Sequence, residues 1–208
     1  MKVIGYLGSP RVSGKCSRLL KSALEGAESA GARTVKVDLI KCNIKYCMGC
    51  GNCFLKHPEL SIGKCPLKDD MASLLEEYIQ ADGYIFATPV YDMFVTALMK
   101  TFLEREIALT YKEKKAVAKI PAARPGIESH FKKKASIIVT GNVTDEYSEV
   151  MADPCFEAFD GHFMIQQVDS VDRYYVGRME DITEQAFSEN LAEAHSLGAR
   201  LVREIQKA

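Results

Sequence analysis

Apolar positions along the chain switch repeatedly between two rhythms. Residues 2–8 form a short apolar run closed by Gly8, as a fully buried strand would. Apolar or small residues then recur at 16, 19, 20, 23, 24, 27 and 30, one face of a helix, and Gly31 supplies its stop. Val35, Val37, Leu39 and Ile40 make a second strand, whereas residues 41–66 have no period and read as an irregular loop. Asp69 and Asp70 open a helix with apolar positions at 71, 74, 75, 78 and 79, and their charge suits a helix start. Residues 84–88 are a third strand that Pro89 is expected to stop, and residues 93–109 carry a helical stripe. After a long connection over 110–134, residues 135–140 read as a fourth strand. Residues 144–159 are helical with an interruption expected at Pro154, and 162–176 hold at least one further strand. Positions 187, 191, 194, 198, 201 and 205 step by four and three through a final amphipathic helix.

Strands alternating with helices predict βαβ units and a parallel sheet covered on both faces. Five such strands suit a single α/β domain over residues 1–208, a three-layer sandwich. In such sheets ligands sit at the carboxyl ends of the strands. The loops at 8–17, 88–94 and 140–144 each follow a strand and are the candidate ligand loops.

Composition narrows the class. With 27 Lys plus Arg against 28 Asp plus Glu, the net charge is −1, unlike a dedicated nucleic-acid binder. No uncharged apolar stretch is long enough to span a membrane. The opening apolar run is too short for a secretory signal, so a cytoplasmic, reducing setting is expected. Lys112, Lys114, Lys115, Lys119 and Lys132 to Lys134 make the 110–134 connection locally basic, which reads as a solvated surface loop.

The first loop, Gly8 to Ser17, joins a strand to a helix whose first N–H groups and dipole favour an anion. Ser9, Ser13 and Ser17 add hydroxyls, and Arg11 can offer a planar fork to a phosphate. The loop is not a Walker A sequence: five residues precede Gly14-Lys15, and Cys16 stands where a hydroxyl would meet Mg²⁺.

Gly-Ser-Pro-Arg-x-x-Gly at 8–14 resembles the phosphate loop of the NADPH-dependent FMN reductase superfamily, whose members are flavodoxin-like. The stretches Ala87-Thr-Pro-Val-Tyr-Asp-Met-Phe94 and Leu98-Met-Lys-Thr-Phe-Leu-Glu-Arg105 resemble its flavin-ring loop and following helix. Cys47-x2-Cys50-x2-Cys53, followed by Cys65-Pro-Leu-Lys-Asp-Asp-Met71, is similar to the iron–sulfur flavoprotein branch. The resemblance implies that Ser9, Arg11, Lys15, Cys16 and Ser17 hold the FMN phosphate. It implies that Pro89, Val90, Tyr91, Asp92, Met93 and Phe94 line the flavin ring, with Gly141 and Asn142 on the other side. It also implies a homodimer or homotetramer.

Five of the seven cysteines fall between residues 42 and 65. Thiolates at C-x2-C-x2-C spacing can face one point, and a Pro after the fourth cysteine matches ferredoxin-type ligation. Eleven residues separate Cys53 from Cys65 here. Three readings stand: a 4Fe-4S cluster on Cys47, Cys50, Cys53 and Cys65, a structural zinc, or free redox-active thiols. Cys42 and Cys155 read as small buried hydrophobes. His57, His130, His162 and His195 share no metal-site spacing.

The expected function is that of an FMN-dependent redox flavoprotein, an NAD(P)H oxidoreductase or electron-transfer protein with a small-molecule or protein donor and acceptor. No side chain is assigned as a catalytic acid or base. The alternative is a non-enzymatic flavin or zinc module acting through its cysteine loop.

Overall fold

In a computed structural model of the chain, residues 1–112, 122–124 and 133–207 are described. The strands are β1 (Lys2–Leu7), β2 (Arg33–Asp38), β3 (Gly83–Tyr91), β4 (Phe94–Val95), β5 (Thr110–Tyr111), β6 (Ala122–Ala123), β7 (Lys133–Thr140) and β8 (Val168–Val176). The helices are α1 (Lys15–Ser29), α2 (Asn52–Leu55), α3 (Met71–Ile79), α4 (Ala97–Arg105), α5 (Ser148–Gln166) and α6 (Glu184–Gln206). Lys114, Lys115, Lys119, His130 and Lys132 lie outside the described residues.

Five strands pair in parallel in the order β2-β1-β3-β7-β8, the flavodoxin-like winding that the family resemblance implied; the alternation of elements predicted the parallel sheet covered on both faces. A sixth, β4, adds antiparallel to the end of β3, and β5 and β6 form a separate small ribbon. β1 is buried at every residue because both faces are covered. Its even side chains, Ile4 and Tyr6, join the core under α3, α4 and α5. Its odd ones, Val3 and Leu7, join the core under α1 and α6. α1 and α6 touch closely: a Cβ on Gly26 would overlap the His195 carbonyl, and one on Gly198 the Ala23 carbonyl.

Two prolines behave differently from the sequence expectation. Pro89 does not stop β3, which continues to Tyr91 and pairs Pro89 with Thr140. Ala87 accepts from Gly8 N–H, so its polar backbone faces β1. The period of two turns the missing N–H of Pro89 to the same side, beyond the last residue of β1, where no ladder bond is lost. Pro154 lies inside one continuous helix that extends through residues 162–166, so the following strand begins only at Val168. Burial of Phe156, Phe159 and Phe163 on this helix outweighs the single backbone bond a proline removes.

The stripe at 93–109 is also not one helix. Residues 91–94 form a two-residue hairpin, α4 covers 97–105, and a 3₁₀ turn follows over 106–109. Within the irregular 41–66 stretch, α2 is a single short turn of helix.

Candidate functional sites at the sheet edge and the cysteine loop

Two cavities matter. The first, about 440 Å³, opens at the carboxyl ends of β1, β3 and β7. The first loop contributes Ser9, Arg11, Gly14, Lys15 and Cys16; the end of β3 contributes Pro89, Val90 and Tyr91; the third loop contributes Gly141 and Asn142. Three segments far apart in sequence thus meet where a parallel sheet offers its ligand site.

Gly14 is the N-cap residue of α1 and offers no side-chain cap, so the helix's first N–H groups are left uncapped at the loop. The buried Ser9 accepts from Arg11 N–H at 3.2 Å and shapes the turn. Arg11 is exposed and carries no ion pair among the described residues. Lys15 Nζ donates to Met179 O at 2.6 Å, tying α1 to the loop after β8. That loop in turn docks on the third: Gly141 N–H donates to Val176 O and Met179 N–H to Gly141 O, both at 3.0 Å. Burial pushes the Cys16 thiol up to about 12, with a bond to Thr140 opposing, so it stays a neutral, weak donor.

Four expected contacts fall outside this cavity's lining. Ser17 lies beneath the loop, its hydroxyl donating to Val12 O at 2.6 Å. Asp92, Met93 and Phe94 form the tip and far strand of the hairpin, with Phe94 paired to Tyr91. The turn between β3 and β4 puts Asp92 (φ 49°) and Met93 (φ 62°) in the left-handed region.

Thr140, within the third candidate loop but not among the named contacts, joins the lining; sequence reasoning missed Met179 and Glu180 there, and Thr96 behind it. Thr140 ends a parallel strand and was therefore findable; Met179 and Glu180 have no local signal. Thr96 Oγ1 donates to Gly8 O at 2.6 Å and accepts from Met99 N–H at 3.2 Å. One hydroxyl so caps α4 and fastens the hairpin to the start of the first loop.

The second cavity, about 470 Å³, is lined by Cys47, Cys50, Cys53 and Cys65, with Arg105 and His162 among its other walls. His162 reaches it from α5, a placement no sequence spacing revealed. Burial pushes the Cys53 thiol up to about 11, and the other three cysteines add to the effect, Cys65 most. A soft metal would have to displace these protons on binding. Among the described residues, no three His, Cys, Asp or Glu side chains are grouped as a metal site. Four soft donors around one cavity nonetheless fit an iron–sulfur group by chemistry. Cys155 is buried as expected, while Cys42 is only half-buried.

Asp69 and Asp70 do more than start α3. Asp69 accepts from Lys45 N–H at 2.9 Å and Met71 N–H at 3.2 Å, and Asp70 from Asn43 N–H at 2.8 Å. The pair therefore pins the stretch of chain between Cys42 and Cys47.

The family model for NADPH-dependent FMN reductase matches residues 1–141. An iron–sulfur flavoprotein of Archaeoglobus fulgidus is 43% identical over 105 residues, 50% of this chain and 45% of that protein. Another, of Methanosarcina thermophila, is 32% identical over 123 residues, 59% of this chain and 61% of that protein. The chain spans about half the length of the curated relatives it matches. The fold is shared with an NAD(P)H:quinone oxidoreductase from Methanothermobacter marburgensis, with a TM-score of 0.72 and 18% identity over 97% of this chain and 98% of that one. It is shared too with an FMN-dependent NADH-azoreductase of Bacillus anthracis in complex with FMN, with a TM-score of 0.67 and 11% identity over 97% of this chain and 100% of that one. No helix among the described residues is long and apolar enough to cross a membrane. The matched region contains the uncapped loop before α1, the end of β3 and the third loop through Gly141, and by that match the chain belongs to the NADPH-dependent FMN reductase family.

Proposed function

We propose that this chain is an FMN-dependent oxidoreductase that moves electrons between a donor such as NAD(P)H and a small-molecule or protein acceptor. The observation that carries the reading is the single cavity lined by the phosphate loop, the end of β3 and the 140–142 loop. Free N–H groups at the start of α1, with Arg11 and Lys15, suit the phosphate of FMN. Pro89, Val90 and Tyr91, with Gly141 and Asn142, line the same cavity and would flank the flavin ring. Bound FMN supplies hydride and single-electron chemistry. The protein's part is to bind the phosphate, orient the ring and brace both walls through Thr96 and the Lys15–Met179 bond.

The finer reading is that Cys47, Cys50, Cys53 and Cys65 hold a 4Fe-4S cluster that exchanges electrons with FMN. The shared cavity of the four thiols supports it, as do the relatives named iron–sulfur flavoproteins. α4 connects the two sites, from Thr96 at the hairpin to Arg105 at the cysteines, a span of about 13 Å at 1.5 Å per residue. The proposed assembly is a homodimer or homotetramer in the cytoplasm.

The test is an ultraviolet–visible spectrum of protein purified without oxygen, with iron, sulfide and zinc measured on the same sample. Flavin bands with about four irons per chain are expected. Flavin bands without iron or sulfide retire the cluster and leave an FMN oxidoreductase with free thiols. Zinc without turnover favours the non-enzymatic module, and colourless protein that takes up no added FMN overturns the whole reading.

A further inference from the structure

Residues 54–64, which separate Cys53 from Cys65, fold back around one buried side chain. Arg124 has no exposed surface. Among the described residues its guanidinium donates to main-chain carbonyls: Nε to Thr110 O at 3.1 Å, Nη1 to His57 O at 2.5 Å and Leu60 O at 3.1 Å, and Nη2 to Lys56 O at 3.0 Å and to Cys53 O. No carboxylate pairs with it among the described residues. The Tyr111 ring lies against it, 5.7 Å from ring centre to guanidinium carbon.

The two ends of the loop meet at the same place. Gly63 N–H donates to Ala108 O at 2.7 Å. A Cβ on Gly63 would overlap the Cys53 carbonyl oxygen and crowd Arg124 Nη2. So the backbone of Cys53 touches the residue two before Cys65, although eleven residues lie between the thiols. A tight loop with carbonyls turned inward and no water would leave acceptors unsatisfied. Arginine meets that need with several donors spread in one plane, which the three donors of a lysine do not reproduce.

We propose that Arg124 is a positioning residue for the cysteine site: by gathering these carbonyls it closes the loop and holds Cys65 beside Cys53 on one cavity. The consequence for a cluster rests on the reading above; the closure itself rests on the contacts of Arg124 and Gly63.

The experiment uses the full chain with Cys47→Ser and Cys50→Ser, so that Cys53 and Cys65 are the cavity's remaining thiols. A short bifunctional thiol reagent is added under reducing-agent-free, anaerobic conditions, and the link is mapped by mass spectrometry. A Cys53–Cys65 link is expected in this parent. Arg124→Ala is expected to lower its yield about ten-fold or more, since several charge-assisted bonds are lost together. Arg124→Lys should recover part of the yield, and added guanidinium ion should recover part of it in Arg124→Ala. Far-ultraviolet circular dichroism is expected to stay at the parent's level, separating an opened loop from a lost fold. Gly63→Ala strikes the same contact from the other end and should also lose the link. An unchanged link in Arg124→Ala, or a retained link in Gly63→Ala where Arg124→Ala does not fold, overturns the proposal. Absence of the link in the parent overturns it as well. Iron and sulfide assays on the chain with all its cysteines judge the cluster separately: a link in the Cys47→Ser, Cys50→Ser parent together with an iron-free unsubstituted chain retires the cluster and leaves Arg124 in its role.

Discussion

Arg105 grips Asp69 with both ends of its guanidinium, Nη1 to Oδ2 at 2.5 Å and Nη2 to Oδ1 at 3.1 Å. The two side chains are 3% and 1% exposed, so this is a solvent-excluded pair. The same guanidinium donates to Lys45 O at 2.7 Å and to Cys65 Sγ at 3.5 Å. One residue at the end of α4 therefore holds both ends of the cysteine loop, and Asp69 holds that residue.

Removing one partner of such a pair leaves the other buried without compensation. Asp69→Asn is expected to destabilise the fold by about 3–5 kcal/mol, read from urea unfolding. The pH dependence has a definite sign. Burial pushes the Asp69 carboxyl up, but Arg105 and the N–H groups of Lys45 and Met71 pull it down further, and the net value is below the ordinary one. A lowered folded value means stability that is present above about pH 4 and lost as pH falls through the folded value. The variant should lose less stability than the wild type on acidification. Parallel acid profiles for the two proteins would contradict the assignment.

Glu106, the next residue, predicts the opposite trend. It is 1% exposed, its Oε1 has no partner among the described residues, and Gln166 Nε2 reaches Oε2 at only 3.4 Å. Burial pushes its carboxyl up to about 8, the Gln166 bond opposing. The folded state then holds a proton that the unfolded state releases near pH 4.5, so stability falls as pH rises from there to about 8. Glu106→Gln removes the charge and should flatten that slope, with a gain of a few kcal/mol at pH 8, at about 1.4 kcal/mol per pH unit. A variant that is less stable than wild type at pH 8 refutes this.

FMN retention tests the phosphate loop. Arg11→Ala should weaken FMN binding by about 1.5–3 kcal/mol, or roughly ten- to hundred-fold in Kd, by loss of a charge-assisted bond. Fluorescence titration of the flavin-free protein measures it, and an unchanged Kd removes Arg11 from the site.

Much of this architecture was legible because its signals are local and repeated. The apolar run before Gly8, the stripe over Cys16 to Ala30 and the four-and-three steps from Phe187 to Ile205 each average over many residues. Strand ends then located the cavity, since a parallel sheet fixes where ligands go. What escaped depends on single residues and distant partners. Pro89 was misjudged because its effect turns on which side of β3 its nitrogen faces, a matter of register with β1. The hairpin at Asp92 and Met93 escaped because neither is glycine, the residue that announces positive φ. Arg105, Arg124 and His162 acquire their surroundings only when segments far apart in sequence are packed together.

Gly198→Ala inverts a familiar rule. Alanine in the middle of a helix is ordinarily better than glycine by about 1 kcal/mol. Here a Cβ would overlap the Ala23 carbonyl of α1, and backbone on a packed helix cannot swing aside. Overpacking of this kind costs about 1–3 kcal/mol, so the variant should be less stable in urea. A stability gain would show that α1 and α6 can separate without loss.

The hairpin that ends in Tyr91 and restarts at Phe94 is held in a turn its residues resist. Both central residues have positive φ, as a two-residue hairpin of this hand requires. Aspartate visits that region with little penalty, but a methionine is expected to lose about 1–2 kcal/mol there. Met93 is 44% exposed, so its side chain returns little in packing. Met93→Gly removes the strain and adds about 0.5–1 kcal/mol of unfolded-chain entropy to be lost on folding. The balance is a gain of about 0.5–1 kcal/mol in urea unfolding, with a smaller effect for Asp92→Gly. The same Met93→Gly protein should bind FMN less tightly, because a glycine turn no longer holds Tyr91 rigidly at the cavity edge. A loss of stability in Met93→Gly would mean that the methionine side chain, and not the turn, is what this position conserves energetically.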